Sequence, residues 1–384
     1  MTLDVPLRYP VKRRDQAALQ KESGYLSGCG VEQLSLSNAV KWTAAWAENQ
    51  VHVLALQGVK DGWVRGVSSA PAPDAEPPGS HLQSSGLLIK DSKRITVTGC
   101  TLQNAQNRGD NGNGYLFEIS TSNEILTKDC VGQNGRHNFI QNWDFGASGL
   151  VWSGCKSSGS RSFQDANDRT GFAAASEYHH SLAMSCLVEQ SDIADAWQAI
   201  NRLYFSSGAG HTATQSVFWN NRGSGQILSL QFGWGYVIGT AGLTVLTGLA
   251  GVSGQGTAPE DFVEHVDLPP ESPLTPPSLY QDQLQRRRQH APERHLLEQH
   301  RAERDVPQIR RGVLIADQAI GQHREGMRSI SVEHVASGFH AEAAAAIGMV
   351  DEDQLAAVNA RLVQGRKLAG LGPKRLVDAG RCFV

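Results

Sequence analysis

The stretch KRITVTGCTLQN, residues 93–104, is a short apolar strand that ends in a small residue and a cysteine. The same plan recurs in three later segments: NEILTKDCVGQN (123–134), SGLVWSGCKSSG (148–159) and HSLAMSCLVEQS (180–191). A periodic strand that ends at the same residue type predicts stacked repeats. The cysteines of the four segments lie 30, 25 and 31 residues apart and are Cys100, Cys130, Cys155 and Cys186.

A second strand precedes most of these units. The best copies are GLLIKDS (86–92), GYLFEIS (114–120), RHNFIQN (136–142), DAWQAIN (195–201) and GQILSLQ (225–231). Short strands at a period of 20 to 40 residues, joined by Gly, Asn and Ser, predict a solenoid of β-coils. Coils stacked about 4.8 Å apart pair their backbones in parallel and share one core.

The cysteines are expected to form one inward-facing column. In the next unit, HTATQSVFWNNR (211–222), Val217 takes the place of the cysteine. The column has two interpretations, metal or disulfide chemistry and small apolar filler. Filler is favoured because buried free cysteine is common and because stacked side chains point the same way, which suits disulfide geometry badly. Cys29 and Cys382 lie outside this pattern.

Composition divides the chain near residue 257. All eight tryptophans lie between Trp42 and Trp234, and a Pro-rich connector follows at 266–280. We expect a β-helix domain over residues 1–256, a linker over 257–282, and a charged, helix-prone tail over 283–384 that packs weakly. An alternative hypothesis is that the tail results from a frameshift.

Charge and hydropathy exclude several classes of function. The net charge of −3 and the pI of about 6.5 indicate no nucleic acid or anionic membrane surface as a partner. Six cysteines are too few for a disulfide scaffold, and no secretory signal is visible. The uncharged run Gly223–Pro259 is rich in Gly and Thr, so no membrane span is predicted.

Strands such as SKRITVTGCTLQ and SNEILTKDCVGQ resemble the coils of right-handed parallel β-helix proteins, the superfamily of pectate lyases and polygalacturonases. The resemblance covers residues 31–245. It implies an all-β, right-handed parallel β-helix, a polysaccharide substrate and an extracellular or cell-surface location. It also leads us to expect an N-terminally shortened copy, since LDVPLRYP has no capping helix. No catalytic signature of either enzyme is recognisable, so no residue role is carried over.

Polar clusters interrupt the apolar pattern where successive coils would present side chains in rows. We expect a glycan groove lined by residues 136–144, 177–180, 195–202 and 211. Its candidate catalytic residues are Glu177, His180, Asp195, His211, Asp144 and Arg136. Its candidate substrate-binding residues are His137, Asn142, Trp143, His179, Trp197, Asn201, Arg202 and Trp234.

The spacing of two histidines supports this groove. His180 lies six residues before Cys186, and His211 lies six before Val217, so the two imidazoles are expected to stack about 5 Å apart. Neighbouring imidazoliums repel, which favours a neutral base near pH 7. The alternative is a structural ladder bonded to turn carbonyls.

Carboxylates suggest the reaction. Glycoside hydrolysis needs two carboxyl groups, about 5 Å apart for retention or about 6.5–9.5 Å for inversion. The candidates are Glu118, Asp144, Glu177, Asp192 and Asp195. A lyase would instead use a base and positive groups, drawn from Arg136, Arg202, His180, His211 and Tyr178. Trp143, Trp197 and Trp234 could stack on sugar rings.

The run GDNGNG, residues 109–114, has oxygen-rich side chains that could bind Ca²⁺, but a tight turn is the favoured interpretation because no bidentate Glu follows. We therefore predict no cofactor and no metal ligand. The leading hypothesis is a glycoside hydrolase acting along the coils. The alternatives are a lyase acting on a uronate-containing glycan and a non-catalytic glycan-binding or adhesive β-helix.

The segment HNFIQN (137–142) leaves one question open. Strict alternation would place His137, Phe139 and Gln141 on one face and Asn138, Ile140 and Asn142 on the other. Each face then mixes polar and apolar groups, so the pattern does not say which face lies inside.

Overall fold

Short strands, most of them parallel, are the main regular elements of the described residues. The computed structural model describes residues 7–8, 12, 14, 16, 23–143, 146–247, 264–267 and 274–290. Within these residues the first half of the strands are β1 Leu26–Ser27, β2 Gly30–Glu32, β3 Ser35–Leu36, β4 His52–Gln57, β5 Val59–Arg65, β6 Ser68–Ser69, β7 Ser85–Lys90, β8 Lys93–Thr98, β9 Thr101–Gln103, β10 Tyr115–Ser120, β11 Leu126–Lys128, β12 Val131–Gln133 and β13 His137–Asn142.

The remaining strands are β14 Val151–Ser153, β15 Lys156–Ser158, β16 Arg161–Ser162, β17 Phe172–Ala173, β18 Ser176–Tyr178, β19 Ala183–Met184, β20 Leu187–Glu189, β21 Asp192–Ile193, β22 Ala196–Ala199, β23 Ala213–Trp219, β24 Gln226–Ser229, β25 Phe232–Thr240, β26 Thr244–Leu246 and β27 Glu264–Asp267. The described helices are α1 Trp42–Ala45, α2 Phe205–Gly208 and α3 Leu279–His290.

The strands form three parallel sheets. The first sheet has the strand order β26-β24-β22-β18-β13-β10-β7-β4. The second has the order β1-β5-β8-β11-β14-β20-β23-β25-β27, with β2 paired to β5 and β19 paired to β23. The third has the order β21-β15-β12-β9-β6-β3. The chain visits the sheets in the same sequence in each coil, as β7-β8-β9, β10-β11-β12 and β13-β14-β15 show. This mostly β, parallel architecture is compatible with a parallel β-helix.

The core is a set of side-chain columns that run from coil to coil. In the second sheet, one column passes through consecutive register partners Val31, Val64, Val97, Thr127, Trp152, Val188, Phe218 and Val237. From Val64 onward each member is buried. Apolar side chains in register bury a continuous strip that no single coil could bury.

A left-handed turn follows this column in every coil. The residue two positions after each member has φ between 49° and 71°, and these residues are Gln33, Gly66, Gly99, Asp129, Gly154, Gln190, Asn220 and Gly239. Gly adopts this conformation freely, and Asn and Asp do so more readily than other residues. In the repeats TGC (98–100) and KDC (128–130), Gly99 and Asp129 therefore occupy the left-handed position that the corner requires.

The register corrects the predicted cysteine column. Since Ser153 pairs with Glu189, the residue equivalent to Cys155 is Ser191, not Cys186. Since Leu187 pairs with Val217, the residue level with Cys186 is Ser216, so the alignment of Val217 with Cys186 is wrong. The cause is a second left-handed turn in each coil. Ser185 (φ 51°) precedes Cys186 just as Asp129 (φ 53°) precedes Cys130.

The cysteines themselves are free thiols. Cys100, Cys130, Cys155 and Cys186 are buried, and Cys29 is half-buried. Burial raises the pKa of Cys155 and of Cys186 to about 12, so both thiols stay protonated. These observations support the filler interpretation. Cys382 lies outside the described residues.

One coil carries an inserted hairpin. The strands β16 and β17 pair antiparallel between β15 and β18. The insertion is anchored on α1, where the Trp42 indole donates to the Ala166 carbonyl over 2.7 Å and the Arg169 guanidinium lies 3.6 Å from the Trp42 ring centre. Cation–π contact and a buried indole hydrogen bond fix the hairpin to the coils.

Part of the Pro-rich connector is described and contacts the coils. The carbonyls of Pro276 and Pro277 accept from Trp219 and Asn220, and Ser278 donates to Glu189. The strand β27 lies inside the predicted linker and pairs with β25, so the second sheet extends past residue 256.

Helix α3 begins a separate compact unit and carries an Arg286–Asp282 ion pair of 2.8 Å. Residues 291–384 lie outside the described part of the chain, so the hypotheses about the tail stay predictions. No helix in the described ranges is both long and apolar enough to cross a membrane.

We expect Phe117→Ala to lower the free energy of unfolding by about 3–5 kcal/mol, because Phe117 is buried and stacks on Phe139 with ring centres 5.0 Å apart. Phe172→Ala is the matched control, since that ring is 55% exposed, and its effect should stay within about 0.5 kcal/mol. Urea unfolding of both variants measures the difference. Equal losses in the two variants would contradict the described core.

Candidate functional site

A row of side chains, all polar except Ile140, lies on the first sheet, on the face away from the hydrophobic core. Glu118, Ile140, Glu177 and Gln198 are successive register partners on β10, β13, β18 and β22. None of the four belongs to the core cluster that contains Phe139 and Trp197. The parallel register therefore brings carboxylates from non-adjacent strands to one level.

Glu177 is the centre of the first cluster. Its side chain is fully buried, and its Oε1 lies 3.3 Å from His137 Nε2 and accepts from His179 Nδ1. Its Oε2 accepts from Arg202 and from the Gln198 amide. His137 Nδ1 donates to the Ala175 carbonyl over 2.6 Å, which fixes the tautomer of that ring.

The electrostatics of this cluster keep the carboxylate charged. Burial alone would raise the pKa of Glu177, but the Arg202 guanidinium and the two imidazoles outweigh it and hold this pKa well below its ordinary value. Burial lowers the pKa of His137 to about 3, against the opposing pull of Glu177, so His137 is neutral. An ionised, desolvated carboxylate with one guanidinium partner results.

A second chain of hydrogen bonds runs beside the first. His52 Nε2 lies 2.8 Å from Glu118 Oε2, and Asn142 Nδ2 donates to Glu118 Oε1 over 2.8 Å. His180 Nδ1 lies 3.0 Å from Asn142 Oδ1, and His180 Nε2 lies 2.9 Å from the Ser206 carbonyl. The chain thus links three strands, the segment after β18 and the segment after β22.

The Asn142 amide connects Glu118 to His180. With the amide as described, His180 Nδ1 faces Asn142 Oδ1 and His180 Nε2 faces the Ser206 carbonyl, so both ring nitrogens lie beside acceptors. Rotating the amide by half a turn would offer its NH₂ to His180 and its oxygen to Glu118. In either arrangement one amide bridges the carboxyl group and the imidazole.

Aromatic contacts join the two clusters. The rings of His179 and His180 lie 4.6 Å apart, edge to face, and Trp143 stacks on His180 at 4.1 Å. His137 meets the edge of Tyr115 at 5.1 Å. Burial raises the pKa of Tyr115, so its hydroxyl stays protonated.

The expected open groove is instead a covered row, which corrects the prediction. His137, Asn142, Glu177, His179, His180 and Asn201 are all buried. The covering segment is the loop from Asn201 to His211, which closes through an antiparallel bridge between its ends. Its side chain Tyr204 is 72% exposed, whereas its Ser206 carbonyl meets His180.

The register between the predicted histidine pair is also corrected. Ala183 pairs with Ala213, so the residue level with His211 is Ser181 rather than His180. The error follows from aligning Val217 with Cys186. His211 Nε2 lies 3.2 Å from Asn201 Nδ2, and its ring is 4.8 Å from Phe232.

Asp195 lies in a different polar network. Its Oδ2 accepts from Asn138, Ser157, and both the backbone and the hydroxyl of Ser160. Burial raises the pKa of Asp195, although the hydrogen bonds from Ser160 and Ser157 oppose the shift. These contacts tie β13, β15 and β22 together. A catalytic role for Asp195 stays a prediction.

Other predicted residues fall in three settings. Arg136 donates to the Gly109 carbonyl over 2.7 Å and pairs with Asp110, so it supports a turn. Trp197 is 1% exposed and stacks on Phe139, so its prediction as a sugar-stacking face is wrong. Trp234 is 44% exposed and lies near Tyr236 on β25. Asp144 lies outside the described residues.

The GDNGNG run is a hydrogen-bonded turn. Asn113 Oδ1 accepts from the Gln50 backbone and from Ser84, and Asn113 Nδ2 donates to the Asp110 carbonyl. Use of the amide in these bonds favours the tight-turn interpretation over Ca²⁺ binding, which stays untested.

Comparisons with known proteins add little. No family model matches the chain, and no curated protein matches it. A solved structure described as a mutant of DFA-IIIase from Arthrobacter chlorophenolicus A6, in complex with DFA-III, matches at 9% identity and a TM-score of 0.27. The match covers 70% of this chain and 61% of that chain. A TM-score this low carries no argument, so fold and site rest on the geometry above.

Sequence reasoning missed several members of the row. His52, Gln198 and Ser206 were not among the candidates, and Glu118 was considered only as a carboxylate inside an apolar strand. The register between GYLFEIS and RHNFIQN was the available signal, since it places Glu118 beside Ile140. His52 and Ser206 come from a poor repeat and from a loop, where the period gives no register.

We expect Arg202→Met to lower the free energy of unfolding by about 3–5 kcal/mol, because it leaves Glu177 buried without its guanidinium partner. The double variant Glu177→Gln with Arg202→Met should lose less than Arg202→Met alone, since the uncompensated charge is gone. Arg65→Met is the control, because Arg65 pairs with Glu32 at an exposed site. Urea unfolding measures all three. A loss in Arg202→Met no larger than in Arg65→Met would refute the buried pair.

The raised pKa of Asp195 predicts that the stability of the folded chain falls as pH rises. Above the unfolded value of 3.8 the folded chain holds this proton more tightly, so stability falls as pH rises toward the folded pKa. Asp195→Asn carries no such proton. The stability of the unsubstituted chain relative to Asp195→Asn should therefore decline as pH rises above about 4.

Comparison with Asp168→Asn should show the opposite dependence of stability on pH. Backbone amides of Gly171 and Gln164 lower the pKa of Asp168, so the unsubstituted chain should gain stability relative to this variant as pH rises. Unfolding titrations at several pH values compare the two. Parallel trends in both variants would show that Asp195 is not buried as described.

Proposed function

We propose that the chain acts on a polysaccharide and that it is a glycoside hydrolase of the inverting type. The observation that supports this proposal is the register of Glu118 and Glu177, which flank Ile140 at one level of the first sheet. Two strand spacings separate their backbones by about 9–10 Å. Inverting enzymes place their carboxyl groups about 6.5–9.5 Å apart, whereas retaining enzymes need about 5 Å.

The two carboxyl groups differ in the way that inversion requires. Glu177 is held ionised by Arg202 and the imidazoles, so it is in the charge state that the base of an inverting pair must have. Glu118 is the proposed acid that protonates the leaving oxygen, and it is joined to His180 through Asn142. One carboxylate and one proposed acid therefore lie on the same face.

The direction of the row suits a polymer. The polar side chains follow one another from coil to coil, so a chain of sugars lying along the coils would meet them in turn. His137, Asn142, His179, Asn201 and Arg202 are the proposed substrate contacts. Access requires the Asn201–His211 loop to move, and its exposed Tyr204 and Phe205 would then offer aromatic faces to the glycan.

A lyase is the second candidate, favoured by a different observation. Glu177 accepts from His179 Nδ1, which leaves Nε2 as the basic nitrogen of a neutral ring. Arg202 lies beside the same carboxylate and could neutralise a uronate. In this arrangement Glu177 is a positioning residue and His179 is the base.

Fold handedness and location complete the proposal. We infer that the coils are right-handed, since crossovers between parallel strands are right-handed in about 98% of cases. An extracellular or cell-surface location follows only from the resemblance to polysaccharide-active β-helix proteins. A non-catalytic glycan binder of the same fold is the outcome to be excluded.

The test is a polysaccharide panel in which new reducing ends and the ultraviolet absorbance of unsaturated uronate are followed together. We expect reducing ends without absorbance, and inversion of the anomeric proton signal by NMR. Glu118→Gln should lower kcat by about 100-fold or more, because the proton donor is lost. Glu32→Gln is the matched control at an exposed position outside the row.

Each other result has a meaning. Growth of the absorbance would exclude the hydrolase and favour the lyase, in which case Glu118→Gln should have little effect. Binding without either signal would identify a non-catalytic glycan-binding protein. Retention of configuration would show that Glu118 and Glu177 are not the catalytic pair.

A further inference from the structure

Three ligand-type atoms converge beneath the Asn201–His211 loop. His137 Nε2, Glu177 Oε1 and His179 Nδ1 come from separate side chains on β13, on β18 and just after β18, and all three side chains are buried. One ligand atom from each of the three residues lies within 4.8 Å of those of the other two. Among the described residues, no other group of histidine, cysteine and carboxylate side chains meets this condition.

One of these atoms has no protein partner. His137 donates through Nδ1 to the Ala175 carbonyl, so its Nε2 carries a lone pair. That lone pair faces Glu177 Oε1 at 3.3 Å, an acceptor facing an acceptor, and Nε2 finds no hydrogen-bond partner in the described part of the chain. His137 is only 5% exposed, so water does not satisfy this nitrogen from bulk solvent.

We propose that His137, Glu177 and His179 form a binding site for a divalent transition-metal ion of the zinc class. An ion placed between the three atoms replaces the proton shared by His179 and Glu177 and satisfies the lone pair of His137. In a tetrahedral site with bonds of about 2.0–2.1 Å, neighbouring ligand atoms lie about 3.3 Å apart. The His137–Glu177 separation is 3.3 Å, whereas His179 Nδ1 and Glu177 Oε1 lie closer together and would have to move apart to admit the ion.

The surroundings supply the supports that such ligands usually have. A histidine ligand commonly donates its other N–H to a backbone carbonyl, as His137 does to Ala175. A carboxylate ligand is commonly held through its second oxygen, as Glu177 is by Arg202 and Gln198.

The choice of ion follows from the donor set. Two imidazole nitrogens and one carboxylate oxygen suit Zn²⁺ and its first-row neighbours, whereas Ca²⁺ prefers oxygen ligands alone. Glu177 and Arg202 cancel in charge, so the ion brings a net charge of +2. The remaining coordination position should therefore take an anionic ligand such as hydroxide.

The test of this inference needs no glycan, so its failure can be told apart from failure of the proposed function. The inference does change the role of Glu177. If Glu177 Oε1 binds the ion, Glu177 cannot also act directly as the base, and in the loaded protein a metal-bound water would take that role.

The test uses the full chain, freed of metal by dialysis against a chelator and titrated with Zn²⁺ alone by calorimetry. We expect one Zn²⁺ per chain with a Kd of about 1 μM or tighter and a higher melting temperature on loading. His137→Gln and His179→Gln should each weaken binding by about 100-fold or more. His81→Gln should leave the affinity unchanged, since His81 is a buried histidine that hydrogen-bonds Ser69 outside the cluster.

Two results would overturn the site. The first is absence of stoichiometric binding by the unsubstituted chain. The second is full affinity in both His137→Gln and His179→Gln, which would assign the ion to other histidines or cysteines. If either variant fails to fold, Co²⁺ bound to the unsubstituted chain decides: intense d–d absorption indicates a four- or five-coordinate site, and a weak octahedral spectrum refutes it.

A final variant separates this inference from the proposed function. Glu118→Gln should keep Zn²⁺ binding, because Glu118 contacts none of the three proposed ligands through a hydrogen bond or ion pair in the described residues. Loss of glycan cleavage with intact Zn²⁺ binding would support both proposals. Intact cleavage with no Zn²⁺ binding would refute only the metal site.

Discussion

Parallel hydrogen bonding between successive coils is the constraint on which the rest of this structure depends. Each strand finds its main-chain partners in the coil before and the coil after, so an individual coil has no independent core. Once the register is fixed, every side chain has a neighbour at a known height. The column from Val64 to Val237 and the row from Glu118 to Gln198 are two outcomes of this single constraint.

The same constraint explains how charged groups come to be buried. Glu177 lies outside the core but is fully buried, and Arg202 from the Asn201–His211 loop pairs with it. Burial of charge is costly unless partners are supplied, and here each oxygen of Glu177 has at least one. The Glu177 carboxylate is held through both of its oxygens, so its position is set before any ligand arrives.

Much of the fold could be predicted from the sequence, but the candidate site could be predicted only in part. The strand-turn plan of residues 93–104 and 123–134 predicted parallel coils, because Gly and Asp at left-handed corners leave a visible mark. The same mark misled the alignment at Cys186, where a second left-handed turn also precedes a cysteine. The loop that covers the row has no repeat to place it, so the sequence predicted an open groove. Strict alternation would place the neighbours Asn138 and Phe139 on opposite faces, one of them exposed. Both are fully buried instead: Phe139 stacks on Trp197 in the core, and Asn138 donates to Asp195.

The left-handed turn has a consequence for how such a chain can change over time. The corner is the same in eight coils, whereas the register offset between neighbouring coils ranges from 19 residues (Phe218 to Val237) to 36 residues (Trp152 to Val188), and the longest contains the β16–β17 hairpin. Length differences therefore collect in connections that leave the corners untouched. Duplication or loss of a whole coil would preserve every column and alter only the span of the polar row. A group of related chains could therefore bind longer or shorter ligands by gaining or losing one coil at a time, with no change to the packing of the core.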